Sequence, residues 1–290
     1  MLMGYVMLLA QITDSHVREA GAEPKQGFDE GADLARAVDA LNALDPQPDL
    51  VVHTGDLVHH GEPAQYGPAR AILDRLKAPY IVLPGNHDGR EGLAAAFADT
   101  AWLPEGGGFL HYVMEDSPIR LVCLDTVIPG VAYGKLCAER LAWLDTQLAA
   151  APDRPTVIAM HHPPMDMGLT FSSMVGLAEG GGELAAILTR NPQVQRVICG
   201  HVHRPVTAMF GQRPVWAAPA TCYQFAADIS DEQLLALTRE PPGYSMHLWL
   251  DDPVAGPNLV SHFVPVGDFG EPIPIMHRGE RVGQGLEAKR

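Results

Sequence analysis

From its N-terminus to about residue 200 the chain alternates short apolar runs with longer amphipathic stretches. An apolar run of four to eight residues suits a buried strand, and apolar residues three and four apart suit a helix that buries one face. Strands are therefore expected at 5–12, 50–53, 80–83, 120–124, 156–160 and 196–199, and helices at 30–45, 64–76, 138–149 and 182–189. Leu34, Val38, Leu41 and Leu44 form the stripe of the first helix. Beyond residue 200 the pattern turns to strands. Segments 206–210 and 214–217 read as a hairpin around Gly211-Gln212, and 246–250 and 259–264 as further strands. Alternation that gives way to strands predicts an α/β sandwich with helices outside its sheets.

Five of these strands run into short polar segments: Asp14-Ser15-His16, Gly55-Asp56, Gly85-Asn86-His87-Asp88, His161-His162-Pro163-Pro164 and Gly200-His201-Val202-His203. Ligands of α/β sheets bind beyond the carboxyl ends of the strands, so the five can converge on one edge. Imidazole, carboxylate and amide groups without thiolates suit Mn, Fe, Zn or Co rather than Ca or a structural zinc. Asp14 and His16, like His201 and His203, point the same way if their backbone is extended. Asp14, His16, Asp56, Asn86, His161, His201 and His203 are too many ligands for one ion and suit two that share a carboxylate. Asp56 is the natural bridge, because Gly55 lets the backbone turn tightly before it. Two divalent cations against two carboxylates leave surplus positive charge, and water held by such ions ionises near neutral pH. The chemistry this implies is hydrolysis of a phosphate ester.

Charge and cysteine usage narrow the partners. Lys and Arg number 20 against 35 Asp and Glu, a net charge of −15 that repels nucleic-acid polymers and anionic membranes. Cys123, Cys137, Cys199 and Cys222 are scattered, which fits a reducing compartment. The apolar start is too short to span a bilayer and lacks the basic residues that precede a secretory signal, so a cytoplasmic location is expected.

Taken together, Asp14-x-His16, Gly55-Asp56, Gly85-Asn86-His87-Asp88, His161 and Gly200-His201-x-His203 resemble the calcineurin-like metallophosphoesterases, motif by motif and in order. His161-His162-Pro163-Pro164, Leu124-Asp125-Thr126 and Ala220-Thr221-Cys222-Tyr223 are similar to the branch of class III cyclic nucleotide phosphodiesterases and bacterial glycerophosphodiesterases. The resemblance implies a four-layer αββα sandwich with two mixed β-sheets, often dimeric or larger. It puts Asp14, His16, Asp56 and His203 around one ion and Asp56, Asn86, His161 and His201 around the other. His87 is assigned to the leaving-group side as phosphate contact or general acid, and the neighbouring Asp88 is expected either to orient it or to raise its pKa. Asn86 joins it in binding substrate, and Asp56 serves catalysis as the bridge. The catalytic domain would cover 1–265, with a loop or lid insertion at about 166–182 and a tail or oligomer contact at 266–290.

The expected activity is that of a metal-dependent phosphodiesterase on small soluble diesters, either 3′,5′-cyclic nucleotides or glycerophosphodiesters. Alternatives are a phosphomonoesterase or nucleotidase, a nuclease, and a non-catalytic metal-binding scaffold. The absence of Lys from the motif loops favours a diester over a doubly charged monoester. His162 either contacts phosphate or supports the fold, since neighbouring strand-end residues face opposite ways. His53 and Cys199 are expected in the core, and Cys222 and Tyr223 either line the pocket or pack. Arg18, Arg90 and Arg204 are read as solvated surface groups, with binding of a substrate phosphate or base by one of them as the alternative. Tyr244, Trp249 and Phe263, if exposed, could form a partner surface.

Overall fold

The computed structural model describes residues 5–24, 26–104, 108–169, 176–230, 235–277 and 280–281. Its N-terminal half lays down β1 (Tyr5–Ile12), α1 (Glu30–Asn42), β2 (Leu50–His53), α2 (Pro63–Leu73), β3 (Tyr80–Val82) and α3 (Arg90–Ala96). The middle adds β4 (Tyr112–Met114), β5 (Arg120–Leu124), β6 (Gly134–Lys135), α4 (Ala138–Ala149), β7 (Thr156–Met160), β8 (Leu177–Glu179), α5 (Gly181–Arg190) and β9 (Val194–Cys199). The remainder is strands: β10 (Val206–Phe210), β11 (Arg213–Ala217), β12 (Gln224–Phe225), β13 (Leu237–Thr238), β14 (Gly243–Asp252), β15 (Gly256–Pro265), β16 (Met276–His277) and β17 (Glu280–Arg281).

Two mixed sheets result. The first has the order β15-β14-β1-β2-β3, with β1, β2 and β3 parallel and β14 and β15 antiparallel. The second has the order β10-β11-β9-β7-β5-β4, with antiparallel strands at its two edges. The two-residue period of the strands sorts their apolar side chains into layers. Met7, Leu9, Val52, Leu121, Cys123, Val157, Ala159 and Ile198 meet between the sheets. Ala10, Ile12 and Val51 face the other way, onto α1 and α2, and Val122, Leu124, Ile158, Met160, Val197 and Cys199 pack against α4 and α5. The central strands β2, β5 and β7 are buried on both faces, hence their continuous apolar runs. The expected four-layer αββα arrangement is the one that forms.

Several local expectations are corrected. Tyr244 and Trp249 are 2% and 7% exposed, because β14 runs ten residues and lies between β1 and β15; Phe263 stays exposed. The segment expected as an irregular insertion contains β8, paired with β6, and the start of α5. Residues 170–175 of it lie outside the described residues. Helix α3 and strand β4 were not anticipated.

Candidate metal centre

All seven candidate ligands lie beyond the carboxyl ends of β1, β2, β3, β7 and β9, and they form two clusters with Asp56 between them. In the first, His16 Nε2 and His203 Nε2 are 3.1 Å apart, His203 Nε2 is 3.4 Å from Asp14 Oδ1, and His16 Nε2 is 3.7 Å from Asp56 Oδ2. In the second, His161 Nε2 is 3.1 Å from both Asn86 Oδ1 and His201 Nδ1, and 3.4 Å from Asp56 Oδ2. Each cluster draws ligands from both sheets. The centre therefore sits across their seam.

The backbone that delivers these groups is not extended. Asp14, His16, Asp56, His201 and His203 have φ of 52°, 47°, 55°, 70° and 47°, in the left-handed region that residues with a Cβ seldom adopt. The parallel direction of each Asp/His or His/His pair thus comes from tight turns, not from strand pleat as expected. Such strain persists where surrounding bonds over-determine it. Here Ser15 N and His16 N both donate to Asp56 O, Asp14 N donates to Gly55 O, and His201 N donates to Asp14 Oδ2 at 2.8 Å. Gly55 itself turns at φ 100°, and a Cβ there would stand 2.5 Å from His161 Nδ1.

The donor set fits a pair of cations. His161 Nδ1 donates to Thr54 O and His203 Nδ1 to Tyr223 O, both at 2.9 Å. A carbonyl only accepts, so in the neutral rings each Nε2 is left with a lone pair directed into the cluster. Asp14 Oδ1, fully buried, finds no hydrogen-bond partner among the described residues. Burial drives His16 well below the usual imidazole range and His201 down to about 3, so both rings are neutral at pH 7. Burial works to raise Asp56, but His161, His87 and His16 around it hold its carboxyl well below the ordinary range. His161 is pushed down by burial and pulled up more strongly by Asp56, ending at about 9.

His87 lies at the open side of the centre. Its N–H donates to Asp56 Oδ1 at 2.8 Å, and its Nδ1 donates to His59 O at 2.7 Å, which turns Nε2 to 4.0 Å from Asp56 Oδ2. Asp88 does not orient it, contrary to the first of its two expected roles. The Asp88 carboxylate instead accepts from Leu57 N, Val58 N and Gly85 N and fastens the 85–89 loop to the loop after β2. Burial, with Asp56 nearby, pushes Asp88 up to about 7. His162 is fully buried, with Nδ1 2.7 Å from Thr126 Oγ1 and its ring beside those of His161 and His201.

Sequence reasoning missed one neighbour and left the role of another, Tyr223, open. His59 lies edge-on to His16 and stacks on His87 at 5.6 Å between centroids; its place three residues after Asp56 was the available signal. Tyr223 packs over His16 and His203 and also supplies the carbonyl that fixes His203, so lining and packing coincide. His53 is buried against Ser15 Oγ and Cys199 is in the core, as expected. The three arginines are paired rather than solvated: Arg18 with Glu30, Arg90 with Asp125 and Arg204 with Glu240.

Comparison with known proteins agrees with this architecture. The protein named "Probable glycerophosphodiester phosphodiesterase GpdQ" of Arcobacter nitrofigilis is 33% identical over 277 residues, 95% of this chain and 100% of its own. The 3′,5′-cyclic adenosine monophosphate phosphodiesterase CpdA of Escherichia coli K12 is 30% identical over 223 residues, 77% of this chain and 79% of its own. A dimetal phosphatase from Danio rerio superposes with a TM-score of 0.61 at 14% identity, covering 91% of this chain and all of that one, which speaks for the fold. Residues 7–205, spanning every candidate ligand, match the calcineurin-like phosphoesterase family, and the chain belongs to it.

Proposed function

We propose that this chain is a binuclear-metal phosphodiesterase that hydrolyses small soluble diesters of the glycerophosphodiester or cyclic nucleotide class. The observation that carries the reading is the pair of ligand clusters joined at Asp56, with His87 on their open side. Asp14, His16, Asp56 and His203 would hold one ion, and Asp56, Asn86, His161 and His201 the other. When bound, the ions supply Lewis acidity toward water and phosphoryl oxygens. As water bonds to phosphorus, the P–O bond to the alcohol breaks and its electron pair leaves on oxygen. His87, its ring set by His59 O, is placed to give that oxygen a proton. Asn86 and His87 would touch the phosphate. His162, buried behind His161 and His201, serves the ligands rather than the substrate in this reading.

A groove of about 910 Å³, bordered by Asn86, His87, Arg90, Leu110, Val127 and Pro129, opens beside His87 and would receive the alcohol portion. The net charge of −15 supports a small substrate over a polymer. No helix among the described residues is long and apolar enough to cross a membrane. We assign residues 1–265 to the catalytic domain, with manganese, iron, zinc or cobalt as the metals, a cytoplasmic location and homodimeric or larger assembly as parts of the same reading. The test is hydrolysis of bis(p-nitrophenyl) phosphate against p-nitrophenyl phosphate by chelated protein reloaded with manganese, with Asp56→Ala alongside. Faster, metal-dependent cleavage of the diester, lost in the variant, is expected. Preference for the monoester, or cleavage of neither, refutes it.

A further inference from the structure

We propose that Arg90 and Asp125 form a clamp across the two sheets that positions His87, an inference that rests on the leaving-group role given to His87 above. Asp125 follows β5, a strand whose end carries none of the seven candidate ligands. Its carboxylate is fully buried yet completely engaged. Arg90 Nε donates to Oδ2 at 2.6 Å and Arg90 Nη2 to Oδ1 at 2.9 Å, while Leu110 N and Val127 N donate at 3.0 and 2.8 Å. Arg90 Nη2 also donates to Val127 O at 2.6 Å. Arg140 stands 4.0 Å away, and both guanidiniums lie over the Phe109 ring.

The position of Arg90 is informative. It opens α3, three residues after His87, where a cation opposes the helix dipole. The 85–89 loop is already fastened to the first sheet's side by Asp88 and by Tyr66, whose hydroxyl accepts from Gly89 N at 2.8 Å. Those bonds fix His87 relative to Asp56 but not relative to His161 and His201, which the second sheet delivers. Arg90 and Asp125 supply that second coordinate. Their fork joins the loop to the second sheet on the groove side, as Asn86 and His161 meet across the same seam on the ion side. The next residue, Thr126, holds His162. Two consecutive residues after β5 thus brace the loops after β3 and β7.

A positioning role differs from a purely structural one in the steps it couples to. Arg90→Lys keeps the charge and removes the fork, and Asp125→Asn keeps the shape and removes the charge. In the manganese-loaded protein, both are expected to lower kcat on glycerophosphocholine, a poor leaving group, by about ten- to a hundredfold. On bis(p-nitrophenyl) phosphate, which needs no proton on departure, the loss should be at most about twofold. Neither substitution should slow glycerophosphocholine cleavage further in a His87→Ala background. Hydrogen exchange of residues 85–92 in the metal-free protein should quicken about tenfold or more. Arg154→Lys, at a remote pair with Glu115, should leave exchange and kcat unchanged. Unchanged exchange in 85–92, equal losses on both diesters, or a further loss in the His87→Ala background would overturn the clamp. If the unaltered protein cleaves no diester, the activity reading fails, and exchange in Arg90→Lys alone decides whether the clamp holds the loop.

Discussion

At the scale of single residues, the centre is a set of buried groups whose charges are arranged for a cation. His161 is the informative one. In the metal-free protein its proton is held by Asp56 Oδ2 at 3.4 Å, which lifts it from the ordinary 6.5 to about 9. A histidine binds a cation only when neutral, so an ion at this cluster must displace that proton. Between pH 6 and 8 the affinity for the second ion is expected to rise about tenfold per pH unit, flattening near 9, with one proton released per ion bound. Calorimetric manganese titration in buffers of different ionisation enthalpy measures both, and an affinity independent of pH would refute it. The sign reverses for the metal-free fold: a raised imidazole stabilises fully below 6.5, and its contribution is lost as pH rises through 9. Chelated protein should therefore be the form whose stability declines toward pH 9. The candidate ligands were legible because each is a metal-type residue in a short polar segment that follows an apolar run. The Arg90–Asp125 pair was not, since its partners are 35 residues apart and neither position alone tells a solvated arginine from a buried one.

At the scale of elements, the site is made by the turns at the carboxyl ends of the strands. Runs such as 120–124, 138–149 and 156–160 were read to the residue because their apolar pattern begins and ends sharply. Helix α3 was not read, since its seven residues bury only Leu93 and show no stripe. Strand β14 was read at half its length, as 246–250, because its ends at Gly243 and Asp251-Asp252 carry no apolar pattern. The left-handed turns at Asp14, His16, Asp56, His201 and His203 were likewise out of reach, as nothing in residue type announces strain at a non-glycine. Gly55 tests how tightly these turns are set. A methyl group there would meet His161 Nδ1 at 2.5 Å and Gly85 N at 2.8 Å, on a backbone at φ 100°. Gly55→Ala is expected to cost about 2–4 kcal/mol in urea unfolding and to weaken metal binding. A loss below about 0.5 kcal/mol would mean that the loops after β2 and β3 adjust freely.

At the scale of the whole molecule, the question is how two sheets are kept in register so that ligands from both can meet. The apolar layer between them is non-directional, but a polar thread runs through it. Gln11 of β1, fully buried, donates from Nε2 to Thr54 Oγ1 and to Cys199 O of the opposite sheet, each at 2.9 Å. Its Oε1 accepts from His247 Nε2 at 3.1 Å, and His247 Nδ1 accepts from the Ser261 hydroxyl, which itself receives Arg196. His247 is therefore wired as a neutral ring: burial and then the Arg196 charge drive it down to about 3. A base whose folded value is depressed stabilises fully above its unfolded value of 6.5, and the contribution is lost as pH falls toward 3. Between pH 7 and pH 5 that amounts to roughly 2 kcal/mol. His247→Gln can keep a donor toward Gln11 but cannot take up a proton. It is expected to be less stable than the unaltered protein at pH 7 and to lose about 2 kcal/mol less between pH 7 and pH 5. Chelated protein is the right material, because the buried ligand histidines then titrate alike in both forms and cancel in the difference. Parallel pH dependence of the two would mean that acid loosens the seam at the metal centre first, and that the thread through Gln11 carries no part of the acid response.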